Sequence, residues 1–266
     1  MAGQPGDLTD QYRLPGPLQV RIHTHQTCQE REVNLDTEAC ALLNLSGSES
    51  ILDVGCGPGM FLSYLREQGH RGSLTGVDQS PGMASAAQST EISIQAVAGD
   101  ATRLPFDDNQ FDIVCARHML YHVGDIAAAL GELNRVARSA VLISTGSHRS
   151  MPFLMHTLAA VISDFGMTPV DADMKRFCTE NAGEWLQSAG LEYRERRIDN
   201  ALVFRDVSPI DAYVLSCLPS YGVQRGDDLY TRMNDWLIQH VEQQLANNGG
   251  VIRDPTRVGL YLVEKK

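Results

Sequence analysis

Three glycines at alternate positions, Gly55, Gly57 and Gly59, follow a short apolar run in the stretch ILDVGCGPGMF. A buried strand, a tight turn and a helix in that order build the place where open α/β sheets hold adenosine-containing ligands. The spacing is G-x-G-x-G, and Met60 stands where a dinucleotide fingerprint has its third glycine. Without Cβ atoms, such a loop lets its backbone come close to a ligand tail instead of cradling a pyrophosphate. Three acids accompany it: Asp53 before the loop, Asp78 at the end of the next apolar run and Asp100 after the one that follows. Their carboxylates can accept hydrogen bonds from a ligand ammonium, from a pair of ribose hydroxyls and from an adenine amino group, respectively. One acid after a strand is an ordinary turn residue. Three at successive strand ends, with this loop, point to an adenosine ligand lacking a pyrophosphate, S-adenosylmethionine rather than NAD.

The elements that position these residues follow from periodicity. Residues 1–20 carry QPG and LPGPL and read as a loose leader, and a helix is expected over 28–45. From Ile51 onward, strands (ILDV, SLTGVD, ISIQAVAGD, FDIVCARH, AVLIST) alternate with helical stretches. Ser80 and Pro81 suit the start of one helix, Gly69 the end of another, and Asp125 the cap of a third. Alternation of this length implies βαβ crossovers and a mainly parallel sheet with helices on both faces. Helical pieces near 150–165 and 180–189, a strand near 192–205, a helical insertion over 206–247 and a closing strand RVGLYLVE complete the chain. The expected fold is α/β and Rossmann-like, with seven strands, an antiparallel last strand and a helical lid. It is read as a single domain, 1–266. Its segments are a leader and helix (1–47), a cofactor-binding core (48–146), helices and the sixth strand (147–205), the insertion (206–247) and the last strand (248–266).

Composition narrows the function. The 266 residues are 43% hydrophobic with a net charge of −11, which supplies a core and disfavours a polyanionic partner, because nucleic-acid affinity rests on Lys and Arg. Cys28, Cys40, Cys56, Cys115, Cys178 and Cys217 form no C-x-x-C pair and read as reduced thiols of a cytoplasmic protein. No secretory signal or membrane-length apolar run is seen. No metal is expected: His23 and His25 stand two apart, but nothing in their spacing completes a site.

The motifs ILDVGCGPG, TGVDQSPGM, AGDATRLPFDDNQFDIV and HMLYHV occur in an order that resembles the class I S-adenosylmethionine-dependent methyltransferases, type 11 branch. The resemblance covers about residues 48–146, with a looser match in the C-terminal half. It implies loop contacts at Asp53, Gly55, Gly57 and Gly59, a ribose acid at Asp78, adenine packing at Met83, an adenine-edge pair at Asp100 and Ala101, and a cofactor contact at Arg117. Cys56 is a small buried member of the loop rather than a nucleophile. Gln79 and Thr102, beside Asp78 and Asp100, complete the candidate set. The family's KPGG turn is replaced by ARSA at 137–140.

Methyl transfer from a sulfonium is an in-line displacement, so the protein must chiefly align the acceptor and exclude water. An oxygen or nitrogen acceptor also needs a base, and His118, His122 and His148 are the candidates; packing is the alternative for each. Arg21, in VRIHTHQ, is a candidate partner for the methionyl carboxylate, which the loop itself cannot neutralise. The leader and the insertion are expected to close over the pocket and select the acceptor. The reading is a methyltransferase for a small molecule, releasing S-adenosylhomocysteine. An RNA or protein methyltransferase is the second reading, and an S-adenosylmethionine-binding protein with other chemistry the third.

Overall fold

A computed structural model describes residues 16–88, 93–169 and 173–265. Seven strands form one sheet in the order β3-β2-β1-β4-β5-β7-β6. In chain order the elements are α1 (Gly16–Thr27), α2 (Leu35–Leu43), β1 (Ile51–Val54), α3 (Met60–Glu67), β2 (Leu74–Asp78), α4 (Pro81–Gln88), β3 (Gln95–Ala98) and β4 (Phe111–Arg117). They continue with α5 (Ile126–Val136), β5 (Ala137–Gly146), α6 (Pro152–Asp164), α7 (Ala182–Ser188), β6 (Tyr193–Phe204), α8 (Val207–Leu215), α9 (Asp228–Asn247) and β7 (Ile252–Glu264). The β1–β2, β2–β3, β1–β4 and β4–β5 pairs are parallel and β5–β7 is antiparallel, so the expected mainly parallel sheet with an antiparallel last strand is what the chain forms.

The chain packs as two units. The sheet unit gathers described residues from 34–148, 173–198 and 257–265. Its strand β1 is buried along its whole length, as a central parallel strand with helices on both faces must be. Leu52 and Val54 pack with Leu130 and Leu133 of α5 and Leu186 of α7. Ile51, one residue out of phase, packs with Phe61, Leu62 and Leu65 of α3 and Ala84 of α4. Each of the buried Val, Leu, Ile and Phe side chains contributes about 1.5–3 kcal/mol. The strand order reverses direction between β1 and β4, and the loop after β1 lies at that switch point, where open sheets bind ligands.

The helical unit gathers described residues from 16–33, 149–169 and 199–256. Its core includes Leu154, Phe204, Ile210, Met233, Leu237 and Val241. Asp254 is fully buried there (0% exposed). Its carboxylate accepts from the Phe153 and Leu154 backbone N–H groups at 2.9 and 3.0 Å. It thus caps α6, whose own N-terminal neighbour, Met151, makes no side-chain cap.

Three local expectations are corrected. Residues 16–20 are helical, within α1, not leader; Pro17 suits a helix start, but the helix carries little apolar periodicity to reveal it. The helix expected over 28–45 is shorter, Leu35–Leu43, because Asn34 caps it by accepting from the Asp36 and Thr37 N–H groups. The ARSA segment is no turn: α5 ends at Val136 and β5 starts at Ala137, so these residues lie in the strand. Residues 1–15 of the leader lie outside the described residues.

Candidate active site

The glycine loop is a backbone conformation before it is a binding site. Gly55, Gly57 and Gly59 have φ of +71°, +53° and +81°, a region that side-chain-bearing residues enter at a cost. A Cβ at Gly55 would lie 2.7 Å from Cβ of Met119, and one at Gly59 would lie 3.0 Å from Cβ of Ala87. The N–H groups of Gly55 and Cys56 donate to the Val77 carbonyl at 2.7 and 3.0 Å, tying the loop to β2. Cys56 is buried against Gly76, and burial pushes its thiol far above its ordinary pKa. Its side chain lies in the core cluster with Phe61 and Leu62.

Asp53 lies within β1, 3% exposed. Its Oδ1 is buried with no hydrogen-bond partner. Burial raises its carboxyl to about pKa 7; the Arg117 charge opposes this, while Asp36 and Asp78 add to it. An unsatisfied buried acceptor is costly, and a cationic ligand group would remove that cost. Asp78 ends β2 and holds the loop from the other side. Its Oδ2 accepts from the Gly57 N–H and its Oδ1 from the Ser80 N–H, both at 2.8 Å. Burial raises its pKa despite those two bonds. Each oxygen keeps a further lone pair for a ligand hydroxyl.

Met83 on α4 is buried and Gln79 is exposed. Asp100 is exposed, and its Oδ1 accepts from the Thr102 N–H and hydroxyl at 2.8 Å each. This closes a small turn over the buried Ala101. Arg117, the last residue of β4, pairs with Asp36 of α2 and stacks 4.0 Å over the Phe61 ring. Asp36 was not foreseen, since 81 residues separate it from Arg117 and no local pattern links the two.

The three candidate histidines have different surroundings. His118 follows β4 with φ +52° and donates its backbone N–H to the Ser144 carbonyl. A histidine in the left-handed region is strained, and such strain is concentrated at functional sites. His122 lies in a 3-10 turn, Leu120–His122, edge-on to Tyr121 with ring centroids 4.4 Å apart. His148, just beyond β5, faces Glu180 at 3.0 Å through Nδ1, with the Cys178 sulfur 3.5 Å from the same nitrogen. Glu180 and Cys178 were missed as partners of His148 because they lie 32 and 30 residues further along the chain. Arg21 belongs to the helical unit, where it lies against the Cys217 thiol.

Sequence comparison gives this geometry a family. A methyltransferase-domain profile matches residues 52–144. The chain is 32% identical over 168 residues to a demethylmenaquinone methyltransferase of Staphylococcus epidermidis, a match that spans 61% of this chain and 68% of the relative. It is 32% identical over 155 residues to a malonyl-[acyl-carrier protein] O-methyltransferase of Pseudescherichia vulneris, over 58% of this chain and 60% of that one. Among solved structures, a SAM-dependent methyltransferase from Aquifex aeolicus superposes with a TM-score of 0.51 at 17% identity, covering 68% of this chain and 91% of that one. The chain belongs to the class I methyltransferases, type 11 branch. It is an S-adenosylmethionine-dependent methyltransferase. None of its described helices is long and apolar enough to cross a membrane.

Proposed function

We propose that the chain methylates a small molecule, with S-adenosylmethionine held at the carboxyl ends of β1, β2 and β3. The carrying observation is the partnerless, buried Oδ1 of Asp53 beneath three glycines with positive φ. That pairing of an unsatisfied acceptor with a loop whose backbone conformation requires glycine fits the ammonium-bearing tail of this cofactor. When bound, the cofactor supplies an electrophilic methyl group on a sulfonium.

The residues then divide the work. Asp53 accepts from the ammonium in its ionised form. Gly55, Gly57 and Gly59 admit the tail. Asp78 accepts from the ribose hydroxyls while the Gly57 and Ser80 N–H groups hold it in place. Met83, Gln79, Asp100, Ala101 and Thr102 form the adenine end, and Arg117 sets the charge near Asp53. One of His118, His122 and His148 takes the acceptor's proton where the acceptor needs a base. A small-molecule acceptor is supported by the net charge of −11 and by the acceptors named for its relatives. The location suggested by the reduced-thiol composition is cytoplasmic.

Calorimetry tests the reading. S-adenosylhomocysteine should bind and NAD should not. Asp78→Ala should weaken that binding by about 1.5–3 kcal/mol, the scale of a hydrogen bond to a charged group, with the fold unchanged by circular dichroism. Binding of NAD alone, or wild-type affinity in Asp78→Ala, would overturn it.

A further inference from the structure

Three metal-ligating side chains of different chemistry converge beyond the carboxyl end of β5. Nδ1 of His148 lies 3.0 Å from Oε2 of Glu180 and 3.5 Å from Sγ of Cys178. All three donor atoms fall within 4.8 Å of one another. Tetrahedral zinc with ordinary bond lengths sets its ligand atoms about 3.4 Å apart for a nitrogen–oxygen pair and about 3.5 Å for a nitrogen–sulfur pair. The two distances from Nδ1 of His148 are within about 0.4 Å of those values.

Without an ion the three side chains can hold one another by hydrogen bonds, Nδ1 of His148 toward Glu180 and the Cys178 thiol donating to the Asn181 side-chain oxygen. The surroundings also resemble the outer layer of a metal site. The Ser147 hydroxyl donates to Oε1 of Glu180, which occupies one carboxylate oxygen and leaves Oε2 directed inward. The Asn181 side-chain oxygen accepts from the Cys178 backbone N–H at 2.8 Å and from the Cys178 thiol at 3.5 Å, which fixes the cysteine's orientation. Such partners fix ligand orientation and are needed for affinity. The loop bearing Cys178 and Glu180 is itself fastened to β5. The Thr145 hydroxyl donates to the Phe177 carbonyl at 2.8 Å, and the Thr179 N–H donates to the Gly146 carbonyl at 3.1 Å.

We propose that His148, Cys178 and Glu180 form a three-ligand site for a zinc-class divalent cation, an assignment that takes His148 out of the candidate bases and leaves His118 and His122. Cys178 is buried (2% exposed), whereas the side chains of His148 and Glu180 are each 27% exposed. The site is open on that side, and its fourth position takes an oxygen ligand from water or a small molecule. A mixed nitrogen, sulfur and oxygen set favours zinc over magnesium or calcium, which prefer oxygen alone.

The test uses the full-length chain, stripped with a chelator and titrated with zinc and with cobalt(II), and its readout does not depend on methyl transfer. One equivalent should bind, and cobalt should give a sulfur-to-metal charge-transfer band. Cys178→Ser should abolish the band and weaken zinc binding by more than the 10–100-fold typical of an outer-layer change. Glu180→Gln, at a more exposed position, should also weaken binding and guards against a misfolded Cys178→Ser; Cys28→Ser should bind as wild type. No saturable binding, no sulfur band, or wild-type affinity in folded Cys178→Ser and Glu180→Gln would overturn the site and leave a hydrogen-bonded cluster.

Discussion

Asp53 in the sheet unit and Asp254 in the helical unit are both buried carboxylates with raised pKa values, and burial is the main cause in each. They differ in what meets them. Two backbone N–H groups at the start of α6 meet Asp254, at 2.9 and 3.0 Å. No described residue hydrogen-bonds Oδ1 of Asp53. The first arrangement is complete within the chain and serves stability. The second has an open acceptor that a ligand cation can fill. Burial alone would have ranked the two alike; the partner inventory separates a structural acid from a candidate binding acid.

The comparison can be broken most forcefully at the loop over Asp53. Gly57→Val adds a branched side chain where φ is +53° and where the ligand tail must approach. S-adenosylhomocysteine binding should disappear in calorimetry while circular dichroism reports an intact fold. Asp254→Ala should do the opposite. It strands two buried donors and removes a helix cap, costing about 2–4 kcal/mol in urea unfolding, and ligand affinity measured below the transition should not change. If Asp254→Ala lost affinity and kept stability, the distinction drawn from partners would fail.

Asp53→Asn is the subtlest case. Asparagine keeps an acceptor and loses the charge, so affinity should fall by about 1–1.5 kcal/mol, the difference between charged and neutral hydrogen bonds. The pH dependence carries the sign. Asp53 has its folded pKa raised from 3.8 to about 7, so the folded chain binds the extra proton between those values. Its contribution to stability is therefore greatest below about pH 4 and is lost as pH rises toward 7. Ligand affinity should run the other way, falling by up to about tenfold per unit as pH drops below 7 and the carboxylate is protonated. Asp53→Asn should flatten both slopes; slopes unchanged in the variant would show that another group titrates.

Much of the sheet unit was legible because its signals are local. The apolar run before the glycines bounds β1 at Ile51–Val54, and the aspartate closing the next run is the last residue of β2. Gly69 has φ +85° just beyond α3, as a terminating glycine should. What escaped notice depends on contacts distant in sequence. The Arg117–Asp36 pair, the Glu180 side chain beside His148 and the Asp254 cap join residues tens of positions apart or more, and periodicity is blind to them. The helical unit draws on three separate stretches of chain, so no single window contains its core. The α1 helix escaped for a different reason: it buries one residue, Thr24, and so carries almost no apolar stripe.

The cap on α6 has a consequence for synthesis. The acid that caps the first turn of this helix lies 100 residues after Leu154 in the chain. At about 5–20 residues per second, a ribosome completes the helix sequence about 5–20 s before it supplies the cap. During that interval the Phe153 and Leu154 N–H groups have only water as a partner from outside the helix. A chain released short of Asp254 would carry every residue of α6 and still lack the carboxylate that caps its first turn.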